Sequence, residues 1–95
     1  MAVSIGPHER EAILAIAKRH GASNVRVFGS FARGDARQES DLDLLVDMAP
    51  DRSLLDTVAL IQDLKEALGR EVDVLTEGAL YWMLKRKILK EARPL

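Results

Sequence analysis

Two aspartates separated by one residue, Asp41 and Asp43, lie in the apolar stretch "SDLDLLV", and a third, Asp73, lies in "EVDVL". Aspartate is disfavoured in strands, so three such residues in strand-like segments need a reason. Two unit charges about 4 Å apart repel by roughly 4 kcal/mol at an effective dielectric of 20, so gathered carboxylates raise one another's pKa or require a cation. Hard oxygen ligands suit Mg²⁺, and two such ions can clamp the attacking and leaving oxygens of phosphoryl or nucleotidyl transfer.

A glycine-serine pair, Gly29 and Ser30, directly follows the strand-like "NVRVF". Glycine lets the backbone approach a phosphate without a Cβ, and Ser30 at the start of a helical turn would offer amide donors and a hydroxyl to an anion. Taken singly, each feature also has an ordinary structural interpretation, as a turn glycine, an N-cap serine or solvent-facing strand residues. The combination G-S-x10-D-x-D is expected by chance in roughly one chain of this length per thousand, which favours a functional interpretation.

The elements that must position these residues follow from the hydrophobic pattern and its capping residues. The order is helix, strand, short turn, strand, helix, strand, helix. The expected helices are 7–20, 53–68 and 78–92, the helical turn runs from Ser30 to Gly34, and the strands are 24–28, 41–46 and 71–75. Pro94 is expected to end the last helix. The inward positions are expected to be Leu54, Val58, Ile61, Leu64 and Leu68 in the second helix, and Leu80, Leu84 and Ile88 in the last.

Residue parity separates the apolar from the acidic residues within each strand. Leu42, Leu44 and Val46 share one parity, and Asp41, Asp43 and Asp47 share the other. Successive side chains of a strand point to opposite faces, so the sheet should be covered by helices on one face only. The sequence therefore predicts an α/β (α+β) fold with a small mixed three-stranded sheet. The helix between the last two strands favours a right-handed parallel crossover, which would bring Asp41, Asp43 and Asp73 together on the open face.

Length and composition limit the remaining possibilities. The 95 residues predict a single domain, 1–95, and 47% hydrophobic with 31% charged residues is typical of an ordered globular protein. A net charge of -1 argues against non-specific binding to nucleic acid or to anionic membranes, and the lack of cysteine excludes disulfides and thiolate metal sites. Because no apolar run approaches membrane length, a cytoplasmic location is expected.

The segment "GSFARGDARQESDLDLLV" resembles the nucleotidyltransferase superfamily that includes DNA polymerase beta. More narrowly, it is similar to the MNT class of minimal nucleotidyltransferases, the antitoxins of HEPN/MNT toxin–antitoxin pairs, over essentially the whole chain. The resemblance implies that Gly29 and Ser30 bind the phosphates of a nucleotide and that Arg33 touches phosphate or braces the turn. It implies that Asp41, Asp43 and Asp73 are the catalytic, metal-binding carboxylates, and that Asp73 helps to take a proton from the acceptor.

The same resemblance implies a substrate, a cofactor and a partner. These are ATP, two Mg²⁺ ions (or Mn²⁺), and a HEPN-type ribonuclease toxin encoded beside this chain. In a hetero-oligomer, AMP would pass to a toxin hydroxyl, expected to be a tyrosine, and silence the toxin. A chain this short has no second domain to hold an acceptor, which favours a protein partner. Two alternatives remain open at this stage: an antitoxin that masks its toxin by binding alone, and a nucleotidyltransferase with another acceptor.

Residues outside the motif have simpler interpretations. Phe28 and Phe31 flank the Gly-Ser turn and are expected to pack in the core rather than line a nucleotide pocket. His20 lies at a helix C-terminus, where the helix dipole favours it. The basic residues of the last helix form either a solvated face or a docking surface: Lys85, Arg86, Lys87 and Lys90.

Overall fold

The computed structural model describes residues 3–79 and 82–95. The described elements in chain order are α1 (Pro7–Arg19), β1 (Ala22–Phe28), α2 (Ser30–Arg33), β2 (Leu42–Met48), α3 (Leu54–Leu68), β3 (Val72–Thr76), a 3₁₀ turn (Glu77–Ala79), α4 (Trp82–Glu91) and β4 (Arg93–Pro94). Among these helices, none is both long and apolar enough to cross a bilayer. The predicted elements up to β3 are all present, with bounds that differ by one or two residues.

The sheet is mixed and has four strands in the order β3-β2-β1-β4. β2 and β3 are parallel and joined through α3, whereas β1 is antiparallel to both of its neighbours. The predicted count of three strands was wrong because Pro94, expected only to end a helix, pairs with Arg26 in a two-residue strand. Proline is tolerated at a sheet edge, and the Leu95 amide continues the edge by donating to the Val25 carbonyl over 3.0 Å.

The hydrophobic core lies between one face of the sheet and helices α1 and α3. Its members alternate along the strands as the sequence predicts, and the buried set is Ile13, Ile16, Ala17, Ala22, Val25, Val27, Leu42, Leu44, Val46, Leu60, Leu64, Val72 and Val74. Leu45 is an exception, because it is fully buried although its parity places it on the opposite, acidic face. That face is therefore covered around Leu45 and open toward the start of β2.

Helix α3 begins with a capping box, in which the Ser53 amide donates to Asp56 Oδ2 over 2.8 Å. Leu64 is buried as predicted, but Leu60 is the other fully buried residue of this helix. The expected inward positions Leu54 and Val58 were wrong, since they are 79% and 47% exposed. The apolar residues of the capped first turn, Leu54 and Leu55, are therefore largely exposed.

The closing segment differs most from its prediction. A 3₁₀ turn replaces the expected start of the helix at 78, and Leu80 lies outside the described residues. Leu84 was predicted to face inward but is 53% exposed. In the part of α4 whose side chains are described, 84–91, only Lys85, Ile88 and Glu91 are half-buried. Two of these three are charged, so polar contacts contribute much of what holds this helix in place.

Candidate active site

The predicted carboxylates lie side by side on adjacent parallel strands. Asp43 on β2 and Asp73 on β3 are direct register partners, so their side chains leave the same face of the sheet. Asp41 lies just before β2, at the open end of that face. Asp43 is half-buried, whereas Asp41 and Asp73 are exposed. The structure therefore brings the three aspartates together around the one that is least accessible to water.

The surroundings of Asp43 raise the pKa of its carboxyl group. This pKa is raised from its ordinary value to about 6, first by burial of the carboxylate and then by the negative charges of Asp73 and Asp41. Glu91 adds to the increase, and the positive charge of Arg33 opposes it. At Asp43, the three neighbouring carboxylates thus outweigh the Arg33 guanidinium. The Lys65 ammonium also interacts with Asp73 and Asp41, and a bound cation would relieve the repulsion that remains at Asp43.

The Gly-Ser turn packs directly on Asp43. Gly29 follows β1 with φ 72° and ψ -150°, a backbone conformation that favours glycine. A Cβ built on Gly29 would collide with the Asp43 carboxylate. Ser30 then begins the four-residue α2, which ends at Gly34 in the left-handed conformation. The two halves of the sequence motif, separated by ten residues, are thereby placed in contact.

Glu91, the last residue of α4, joins this group although the sequence analysis did not single it out. Its Oε1 accepts a hydrogen bond from the Gly29 amide over 2.5 Å and another from Arg33 Nη1 over 3.2 Å. Arg33 also donates from Nε to Asp35 over 3.4 Å. One signal was available in the sequence: a carboxylate in the last turn of a helix opposes the helix dipole, so it usually has another interaction to satisfy.

A second polar network on the same face was also missed. Arg26 is the register partner of Leu45, and its guanidinium donates to Asp47 over 3.1 Å and to Glu77 over 3.3 Å. The Arg26 side chain is only 12% exposed, and Lys85 lies 3.9 Å from Glu77. This network lies alongside Leu45 and connects β1 and β2 to the 3₁₀ turn and α4.

Within residues 3–79 and 82–95, no group of three or more histidine or acidic side chains is arranged so that it could hold a metal ion. Asp41, Asp43 and Asp73 supply carboxylate oxygens in one neighbourhood, but these oxygens do not close on a common point. The donor chemistry suits a hard divalent cation, and the side-chain arrangement is not that of a closed ligand set.

A family model described as a nucleotidyltransferase domain matches residues 9–95. The chain belongs to this family. A protein of Methanocaldococcus jannaschii, named as a candidate protein adenylyltransferase, is 45% identical to this nucleotidyltransferase over 80 residues, which cover 84% of the chain and 86% of that protein. The protein adenylyltransferase MntA of Thermococcus cleftensis is 34% identical over 84 residues, covering 88% of the chain and 81% of that protein.

Solved structures confirm the minimal nucleotidyltransferase fold. A structure described as a candidate minimal nucleotidyltransferase is 50% identical, with a TM-score of 0.83 over 93% of this chain and 90% of that one. A toxin–antitoxin crystal structure with AMP-PNP matches with a TM-score of 0.77 at 21% identity, covering 88% of this chain and 69% of that one. The complex of an MNT antitoxin with a tri-AMPylated HEPN toxin of Shewanella oneidensis matches with a TM-score of 0.71 at 18% identity, covering 92% and 68%.

Proposed function

We propose that this nucleotidyltransferase transfers AMP from ATP to a hydroxyl group of a HEPN-type ribonuclease toxin and thereby neutralises it. The observation that carries the proposal is that Asp43, the register partner of Asp73, packs against the Gly29 turn, where the backbone carries no side chain. The relatives named protein adenylyltransferase supply the reaction class. The AMPylated toxin in the Shewanella oneidensis complex supplies the class of acceptor.

The carboxylates Asp41, Asp43 and Asp73 fit Mg²⁺ or Mn²⁺ by donor type, and their mutual repulsion favours a cation between them. They are the residues that would hold two such ions, after side-chain rotations that bring their oxygens together. When bound, divalent metal offsets the charge of the phosphates and of the oxygens that enter and leave.

The reaction assigns distinct tasks to the residues around the metal site. Gly29 and Ser30 hold the phosphates of ATP, and Arg33 contributes positive charge beside them. Asp73 takes the proton of the acceptor hydroxyl, whose oxygen forms a bond to the α-phosphorus. The bond between that phosphorus and the bridging oxygen to the β-phosphate breaks, and pyrophosphate leaves. The product is an adenylylated side chain, expected to be a tyrosine.

The exposure of the carboxylate end of the sheet supports a protein acceptor. The described residues form one sheet with helices, and Asp41 and Asp73 at its open end are exposed to solvent. The surface that orients the acceptor therefore comes in part from the molecule that carries it, in a hetero-oligomer with the toxin. The active site would then be completed only when the acceptor protein binds, as in induced fit.

Intact-mass spectrometry tests the proposal. This chain is incubated with the product of the adjacent gene, ATP and Mg²⁺, in parallel with an Asp41→Asn, Asp43→Asn double variant and an Asp51→Asn control on the exposed loop before α3. One or more added adenylyl groups on the partner are expected with the wild type and the control, but not with the double variant. Unchanged masses in a complex that still silences the partner would contradict the proposal and favour an antitoxin that acts by binding alone.

A further inference from the structure

The carboxylate of Glu91 is hydrogen-bonded to two groups that are expected to hold phosphate, the Gly29 amide and the Arg33 guanidinium. Its Oε1 accepts from the Gly29 amide and from Arg33 Nη1 at once, over 2.5 and 3.2 Å. The Gly29 amide has a single hydrogen, so it cannot fully serve a carboxylate and a phosphate oxygen at the same time. The amide and the guanidinium donate to this carboxylate oxygen the charge-assisted hydrogen bonds that they could donate to a phosphate oxygen in the same position.

We infer that Glu91 is a built-in competitor of the nucleotide: its carboxylate occupies the phosphate position on the Gly29 turn, and ATP must displace it to bind productively. The inference rests on the proposed function, because it assigns that turn to the phosphates of ATP. Electrostatics point the same way, since Glu91 adds a negative charge beside the carboxylates that already surround Asp43, where a triphosphate would bring several more.

The contact is built so that it can open without unfolding the domain. The Glu91 side chain is 22% exposed, and the chain returns to the sheet two residues later, where Arg93 pairs with Val27. This pairing holds the backbone near the turn whether or not the carboxylate is bound, so rotation of one side chain releases the amide. Most of the described side chains of α4, in 84–91, are exposed, so a partner that binds there could shift the helix and release Glu91 when the complex forms.

Nucleotide affinity measures the competition directly. The dissociation constant for MgATP is determined by titration calorimetry for the full chain and for Glu91→Gln, which removes the charge and keeps the size. Glu66→Gln is the matched control, since it removes one negative charge from an exposed position on α3. Glu91→Gln is expected to bind MgATP about fivefold more tightly than wild type, as expected for loss of one charge contact at a partly exposed site, and Glu66→Gln to bind like wild type.

Weaker or unchanged binding by Glu91→Gln would overturn the inference and make Glu91 a residue that positions the turn. Glu91→Ala is a second variant that excludes an effect specific to glutamine. If Glu91 competes with the nucleotide, Glu91→Ala should also bind MgATP more tightly than wild type. If Glu91 instead positions the Gly29 turn, Glu91→Ala should bind MgATP more weakly. Failure of the proposed transfer reaction can be distinguished from failure of this inference. If Glu91→Gln binds MgATP more tightly but neither protein adenylylates the partner, the competition stands and the transfer reaction does not. If no variant binds MgATP, both are wrong.

Discussion

Gly29 and Asp43 are in such close contact that no side chain fits between them. A Cβ on Gly29 would meet the Asp43 carboxylate, and the Gly29 backbone has φ 72°. Gly29 therefore meets two separate requirements, a backbone with positive φ and a close approach to an acidic side chain. Because Gly69 has φ 65° with nothing within 4 Å of a built Cβ, the two requirements can be separated by experiment.

The first prediction compares Gly29→Ala with Gly69→Ala. Gly69→Ala forces alanine into the left-handed conformation, which costs about 1 kcal/mol of folding free energy. Gly29→Ala forces it to φ 72° and ψ -150°, a region that is nearly confined to glycine and costs about 1–3 kcal/mol. Only Gly29→Ala also displaces Asp43, so its total loss should be about 2–4 kcal/mol. The free energy of unfolding from urea titration checks this. Equal losses in the two variants would show that the turn yields to the added methyl group without disturbing Asp43.

The second prediction concerns the pH dependence that Asp43 imposes in the absence of divalent cations. The folded-state pKa of about 6 lies above the ordinary value, so folding favours the protonated carboxyl. Its contribution is fully present below about pH 4 and is lost as the pH rises through 6. Because the group is only half-buried, solvent screening reduces the effect to about 1 kcal/mol.

Asp43→Asn should remove that dependence and stabilise the metal-free protein at pH 7.5, raising Tm by about 4–8 °C. Thermal denaturation with a chelator at pH 4.5 and 7.5 measures it. Asp51→Asn, on the exposed loop before α3, is the control and should behave like wild type. A destabilised Asp43→Asn at pH 7.5 would mean that the charge of Asp43 is compensated within the fold rather than left for a ligand.

The third prediction is that Mg²⁺ stabilises the wild type more than Asp43→Asn. A ligand that binds only the folded state adds RT ln(1 + [L]/Kd) to stability, about 1.4 kcal/mol when its concentration is about ten times Kd. Metal bound between the carboxylates would also cancel the cost that Asp43 carries at neutral pH. Thermal denaturation at pH 7.5 with increasing MgCl₂ tests this, with NaCl at equal ionic strength as the control. Equal shifts for both proteins would argue against a metal site at Asp43.

The sequence predicted the elements that form the site more accurately than those that close it. Strand parity correctly separated Leu42 and Leu44 from Asp43, because successive side chains of a strand point to opposite faces of the sheet. The Gly29 turn was predicted because glycine followed by serine, directly after a strand, commonly marks a turn. These signals are local, so a single sequence contains them in full.

Glu91, Arg26 and β4 could not be predicted in the same way, because each depends on a partner distant in the chain. Glu91 contacts Gly29 across 62 positions, and Arg26 contacts Glu77 across 51. A two-residue strand such as Arg93–Pro94 has no periodicity of its own and exists only because β1 presents a free edge. Likewise, the first turn of α3 has a helical apolar pattern, but whether Leu54 is covered depends on where the neighbouring elements end.

The fourth prediction concerns Arg26, whose guanidinium is the most enclosed charge among the described ion pairs on the acidic face. Arg26→Met keeps much of the volume but leaves Asp47 and Glu77 without their shared partner, and it should cost about 1–3 kcal/mol of folding free energy. Lys65→Met is the matched control, since it breaks the 2.6 Å pair with Glu71 at an exposed site and should have a much smaller effect. Urea titrations of both variants compare these losses. Titrations of Asp47→Asn and of the Arg26→Met, Asp47→Asn double variant complete a cycle that measures the coupling between Arg26 and Asp47. A loss no larger for Arg26→Met than for Lys65→Met would mean that the network stabilises the fold no more than a surface ion pair does.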